Sequence, residues 1–176
     1  AGFGCGYFYS APPFKLVATG WGELCVGLAF GPFLGIGTVS ALTGSFLPQA
    51  LLVSLPVGVL ISAVILMNEF PDYESDRRAG KRTLVVRLGK ERSLLLLAFL
   101  LTVAFILSLG ILLNLGINQC TAGLLLTLPL AIWVWSWGRR QLHNTVKFVP
   151  ACAGLILLHL ANSLLLIIAL FSRGKS

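Results

Sequence analysis

The chain has 176 residues, of which 57% are hydrophobic and 11% charged, with a net charge of +7 and a mean hydropathy of +0.92. So apolar a composition excludes an ordinary soluble domain and makes a lipid bilayer the natural solvent. The excess of cations does not point to nucleic acid, because the positions follow loop topology rather than one binding face.

The chain opens with a Gly- and aromatic-rich run, Ala1 to Tyr9, that lacks the basic, apolar and small-residue regions of a signal peptide. Ala rather than Met stands first, which reads as the start of a fragment. Charge is then absent from Leu24 to Asn68, from Ser93 to Gly138 and from Phe148 to Ser172. One membrane crossing takes roughly 20 apolar residues, so these stretches hold two, two and one. Turn formers at Thr43-Gly44-Ser45 and from Asn114 to Gln119 divide the first two stretches. The predicted spans are about 22–43, 48–68, 93–113, 121–138 and 151–171. With no internal repeat, residues 1–176 read as a single all-α, five-helix transmembrane bundle.

Within the first span, Gly27, Gly31 and Gly35 form a small-residue stripe that admits a second helix backbone. The alternative reading is a groove for an isoprenoid tail, helped by kinks at Pro32, Pro56 and Pro129. Trp133, Trp135 and Trp137 run into Arg139 and Arg140, an interfacial anchor at the end of the fourth span. His159, Asn162 and Ser163 form a polar cluster in the last span, read as interhelical hydrogen bonding. Cys5, Cys25, Cys120 and Cys152 match no metal or disulfide spacing and read as small apolar packers.

The cations sit before the first span, between the second and third, and between the fourth and fifth; the alternate connections, 44–47 and 114–120, are uncharged. The positive-inside rule therefore predicts a multi-pass protein of the cell membrane with the chain start and loop 68–92 cytoplasmic. Arg173 and Lys175, at the end placed outside, run against that assignment.

Twelve of the nineteen charged residues lie between Glu69 and Arg92. Buried in lipid they would cost about 30 kcal/mol at roughly 2.5 each, so this segment belongs at the surface or in a wet cavity. Asn68, Asp72 and Asp76 recur every fourth residue, which places them on one face of a helix. Oxygen ligands of this kind suit Mg²⁺, which takes one or two carboxylates and completes its shell from water and phosphate. Pro71 predicts that the second span ends near Asn68 and that a short helix restarts at Pro71. Arg77, Arg78, Lys81 and Arg82 follow at once, with Gly80 permitting a backbone turn. Acids for a metal beside bases for an anion predict a metal-bridged phosphate or diphosphate; a solvated loop of mutually paired charges is the plainer alternative.

The string NEFPDYESDRRAGKRTLVVRLG, from Asn68 to Gly89, resembles the second aspartate-rich motif of the UbiA-type membrane prenyltransferases. YSAPPFKL from Tyr9 to Leu16, GWGE from Gly20 to Glu23 and FGP from Phe30 to Pro32 resemble the stretch between that family's fourth and fifth helices. The strings are most similar to the menaquinone-pathway branch, which prenylates dihydroxynaphthoate. The resemblance implies that the five spans correspond to helices five to nine of a nine-helix bundle. It also implies a missing N-terminal half carrying the first aspartate-rich motif.

By this resemblance the expected activity is Mg²⁺-dependent transfer of a prenyl group from an isoprenyl diphosphate to an aromatic acceptor, 1,4-dihydroxy-2-naphthoate in that branch. Asp72 and Asp76 are the expected Mg²⁺ ligands, assisted by Asn68 and with Glu69 facing the ion. Lys81 and Arg82 are expected to steady the departing diphosphate. Tyr9 and Lys15 either contact the diphosphate or the acceptor, or anchor the chain at the interface. Expected partners are these two substrates and membrane lipid. A CDP-alcohol phosphatidyltransferase is excluded, since no aspartate precedes Asp72. A non-catalytic transporter or assembly subunit is the alternative that five apolar spans and a basic loop also allow.

Overall fold

The computed structural model describes residues 2–173, with only the backbone of Gly2, Phe3, Cys5 and Arg173, so the packing expected of Cys5 and the cations Arg173 and Lys175 fall outside it. Helix α1 (Gly2–Ser10) and a short turn at Leu16–Ala18 lead into the first span, formed by α2 (Gly22–Leu28) and α3 (Leu34–Thr43). Between them Ala29–Phe33 is wound as a wide π-helical turn around Pro32, whose missing N–H breaks the ordinary ladder. Helix α4 (Pro48–Arg78) is the second span, and the five-residue α5 (Leu84–Leu88) connects it to the third, α6 (Lys90–Leu115). The fourth span is broken into α7 (Asn118–Leu126) and α8 (Leu128–Arg140), where Thr127 Oγ1 donates back to Leu124 O at 2.7 Å ahead of Pro129. Helix α9 (Thr145–Arg173) is the fifth.

Five helical spans are long and apolar enough to cross a membrane, as the charge-free stretches predict, and no strand occurs among the described residues. The bundle is built around α4, which lies against α2, α6 and α9. Leu60, Ala63, Met67 and Phe70 of α4 are buried against Leu94, Leu97 and Leu101 of α6 and Phe148, Ala151, Leu155 and Leu158 of α9. Phe70 and Phe148 stack at 5.0 Å with an 18° interplanar angle.

The small-residue stripe is a packing surface. A Cβ on Gly31 would lie 2.6 Å from Gly58 Cα, and one on Gly58 would lie 2.5 Å from Gly27 O. Ser62 Oγ closes the same seam, donating to Glu23 O at 2.8 Å.

One expectation is corrected. Helix α4 does not end at Asn68 and restart at Pro71 but runs unbroken for 31 residues, about 46 Å at 1.5 Å per residue. The carbonyl that Pro71 cannot satisfy is that of Met67, four residues earlier. Cys152 Sγ, from α9, lies 3.6 Å from Met67 O and donates to it. A thiol from a neighbouring helix thus replaces the lost backbone donor, a substitution open to proline within packed membrane helices. Cys152→Val is expected to cost about 1–3 kcal/mol by orphaning that carbonyl, while Cys152→Ser, still a donor, loses less; detergent-phase thermal unfolding measures both. Because α4 exceeds the roughly 30 Å hydrocarbon core, its charged last turns project beyond the lipid.

In the last span the interhelical bond runs through Asn162, whose Oδ1 accepts from Ser108 Oγ of α6 at 2.9 Å, and not through His159, which is half-buried. At the end of α8 Trp133 and Trp137 stack at 5.9 Å, Arg139 lies over Trp135, and Trp137 Nε1 donates to Lys147 O at 2.8 Å.

Candidate active site

Among the described residues most of the charge gathers at one end of the bundle, where α4 ends, α5 connects, and α6 and α9 begin. The projecting turns of α4 carry Asn68, Asp72 and Asp76 down one face, as the four-residue spacing predicts. Asn68 and Asp72 are exposed, whereas Asp76 is 7% exposed. At Gly80 the chain turns back with φ 72°, a left-handed conformation that suits glycine. The turn returns Lys81 to the end of α4, where Nζ donates to Asp76 Oδ1 at 2.7 Å and the backbone N–H donates to Asp76 O at 3.0 Å. The hydrogen bond to Asp76 and the charge of that carboxylate hold the Lys81 amine above its ordinary range. Lys81 therefore remains a cation at all physiological pH.

The segment between α1 and α2 is strapped onto this loop. Arg82 N–H donates to Ala18 O at 2.9 Å, and Arg87 Nη1 donates to Thr19 O at 2.9 Å. Arg82 keeps an exposed side chain. Lys15 is exposed and has φ 43°. Tyr9 is half-buried at the start of the strap, where a Cβ on Gly22 would lie 3.4 Å from its ring. Burial first, and then the carboxyls of Glu69 and Glu23, push the Tyr9 phenol above its ordinary range, so it stays a neutral hydrogen-bond donor.

Glu69 points off the face shared by Asn68, Asp72 and Asp76. Its Oε2 accepts the Val85 N–H at 3.2 Å, inside α5. Its carboxyl also faces that of Glu23 from α2, a contact that becomes a hydrogen bond only when the pair holds a proton. Glu23 is 4% exposed and neither oxygen has another partner. The structure thus lines Asn68, Asp72 and Asp76 along one face of α4, pairs Asp76 with Lys81, and gathers Tyr9, Glu69 and Glu23 near one another.

Among the described residues no three His, Cys, Asp or Glu side chains converge as a metal cluster. An oxygen-only set of two carboxylates and an amide nevertheless fits Mg²⁺, which draws its other ligands from water and substrate phosphate. Asp76 reserves only Oδ1 for Lys81, leaving Oδ2 outside that ion pair. Sequence reasoning assigned no role to Glu23 and counted Arg87 only as a loop cation. The strap that makes both relevant joins segments about 65 residues apart, which no local spacing reveals.

Comparison with known proteins finds a family and several relatives. The UbiA prenyltransferase family profile matches residues 1–152. The chain is 31% identical over 97 residues to the 1,4-dihydroxy-2-naphthoate octaprenyltransferase of Bacillus subtilis (strain 168), covering 55% of this chain and 31% of that protein. It is 34% identical over 167 residues to the chloroplastic 2-carboxy-1,4-naphthoquinone phytyltransferase of Arabidopsis thaliana, covering 88% of this chain and 43% of that one. UbiA prenyltransferase domain-containing protein 1 of Homo sapiens is 29% identical over 147 residues, covering 82% and 41%. The chain thus spans less than half the length of each of these relatives. No solved structure gives a significant match. A seam of five spans, an acidic helix face emerging beside a lysine and an arginine, and a family match over most of the length converge: the chain belongs to the UbiA prenyltransferase family.

Proposed function

We propose that this chain forms part of an intramembrane prenyltransferase that moves an isoprenyl group from its diphosphate to an aromatic hydroxy acid, 1,4-dihydroxy-2-naphthoate or a near analogue. The observation that carries the reading is the grouping of Asp72, Asp76 and Lys81 at the emerging end of α4. The relatives named for naphthoate and naphthoquinone prenylation support the acceptor class. The charged end faces the cytoplasm of a cell membrane by the positive-inside rule.

In this reading Asp72 and Asp76, with Asn68, hold Mg²⁺, which when bound offsets the negative charge of the leaving diphosphate. Lys81 and the exposed Arg82 supply fixed positive charge at the same place. Asp76 orients Lys81 before substrate arrives, so little reorganisation is needed as the carbon–oxygen bond breaks. The neutral Tyr9 phenol carries no negative charge with which to compete with the diphosphate for cations. The apolar spans keep water from the allylic carbon.

The direct test supplies the complete protein with an isoprenyl diphosphate, Mg²⁺ and 1,4-dihydroxy-2-naphthoate and follows the prenylated product by mass. Product that requires both the metal and the naphthoate supports the reading. Absence of transfer to any aromatic hydroxy acid, in a preparation that binds the diphosphate, contradicts it.

A further inference from the structure

On the surface of the bundle α6 and α8 leave a groove of about 460 Å³ between them, walled by Ala98, Thr102 and Ile106 on one side and by Leu128, Ile132 and Trp135 on the other. The three α6 residues recur every fourth position and form one strip about 12 Å long at 1.5 Å per residue. Ile106 and Ile132 are 64% and 65% exposed, so the groove opens sideways to the bilayer. Its surface is apolar: the Thr102 hydroxyl donates to Ala98 O of its own helix at 2.9 Å, and Trp135 Nε1 is covered. Trp135 is the lining residue nearest the charged end of α8. Arg139, one turn on, lies over that indole with its guanidinium carbon 5.4 Å from the ring centre, and Arg140 follows. Both arginines are exposed, and among the described residues neither pairs with a carboxylate; Glu91, at the start of α6, faces His143 instead at 3.7 Å. The bond from Trp137 Nε1 to Lys147 O ties this turn of α8 to α9 and fixes the backbone that carries Arg139.

We infer that this groove and Arg139 bind one anionic phospholipid, an acyl chain lying between α6 and α8 and the headgroup phosphate resting on the arginine. The order of features matches such a molecule: an apolar channel within the membrane, an indole at its end and a cation just beyond. A guanidinium lying over a ring presents its donors at the edge, and those donors match two phosphate oxygens. The sign of the charge selects the lipid. Basic groups at this depth favour anionic headgroups, which the leaflet on this side carries by the positive-inside rule. A soluble phosphate has no apolar part to fill the groove, so the lipid is the occupant. A second copy of the chain, at +7, would bring more positive charge to a mouth that is already positive. The site shares no residue with the loop that carries Asp72, Asp76 and Lys81, and it stands apart from the prenyl-transfer reading.

The test titrates the chain in detergent with phosphatidylglycerol, with phosphatidylcholine of the same acyl chains, and with glycerophosphoglycerol, the headgroup alone, and reads binding by native mass spectrometry. Phosphatidylglycerol is expected to bind at least about fivefold more tightly than phosphatidylcholine, the effect of one arginine at a membrane surface, and the headgroup alone not measurably. Arg139→Gln should remove that preference and leave phosphatidylcholine as it was. Lys90→Gln, whose cation sits over Tyr73 of α4, should keep the preference. Thr102→Phe, at an exposed position in the groove, should weaken both lipids by a similar factor. Equal affinity of the unaltered chain for the two lipids overturns the assignment, as does a preference that outlasts Arg139→Gln or lipid binding that ignores Thr102→Phe. A lipid-free dimer that Thr102→Phe abolishes overturns it too. Arg139 is at the surface, so its replacement keeps the assignment open to refutation even if Thr102→Phe fails to fold.

Discussion

Replacing Asp76 or Asp72 by Ala in the complete protein is expected to lower Mg²⁺-dependent prenyl transfer by about a hundred- to a thousandfold each, the usual cost of removing one group that stabilises developing charge. The two substitutions should differ in character. Asp72 is exposed, so its loss removes a ligand and little else. Asp76 is 7% exposed and holds Lys81 at 2.7 Å, so its loss also frees the lysine that is to meet the leaving group. Asp76→Asn, which keeps the shape and a hydrogen-bonding oxygen, should lose rate as Asp76→Ala does, with protein yield unchanged. The Lys81 side chain is 47% exposed, which screens its pair with Asp76, so neither aspartate is expected to contribute much to stability. Full activity in either alanine variant would remove the metal site from the proposed mechanism.

The second large effect concerns assembly. Gly31→Leu and Gly58→Leu should each cost about 3 kcal/mol or more, because a side chain there must displace backbone rather than a flexible tip. The nearest atom to a new Cβ on Gly31 is Gly58 Cα at 2.6 Å, and Gly58 N follows at 2.9 Å. Gly37 lies six residues further along with nothing within 4 Å of its Cβ position, so Gly37→Ala is the internal control and should leave the melting temperature unchanged. Size-exclusion profiles and thermal melts in detergent report both. An unshifted melt for Gly31→Leu would mean that the first span and α4 do not pack through this seam.

Much of this was legible in the sequence. The five spans follow from where charge is absent, and their ends differ from the predicted ones by up to ten residues, most at the end of α4, which runs on to Arg78. The face shared by Asn68, Asp72 and Asp76 was legible because a four-residue period survives any exact placement of the helix ends. The continuity of α4 was not. Pro71 argues locally for a break, and the donor that repairs it, Cys152, sits 81 residues later on another helix. Glu69 was expected to face the ion because the resembled family often has an acid at that position, yet its own angle on the helix turns it toward Glu23 and the Val85 N–H. Arg87 was hidden among seven loop cations that topology alone explains, and only its bond to Thr19 O sets it apart.

The binding of an isoprenyl diphosphate to the purified chain, titrated against Mg²⁺, tests most directly whether the emerging end of α4 is a metal-bridged diphosphate site. The expected result is affinity that rises with Mg²⁺ and that Asp72→Ala and Asp76→Ala each reduce at least about tenfold, with Mg²⁺ losing its effect in the double variant. Binding that ignores both the metal and the two aspartates would contradict it.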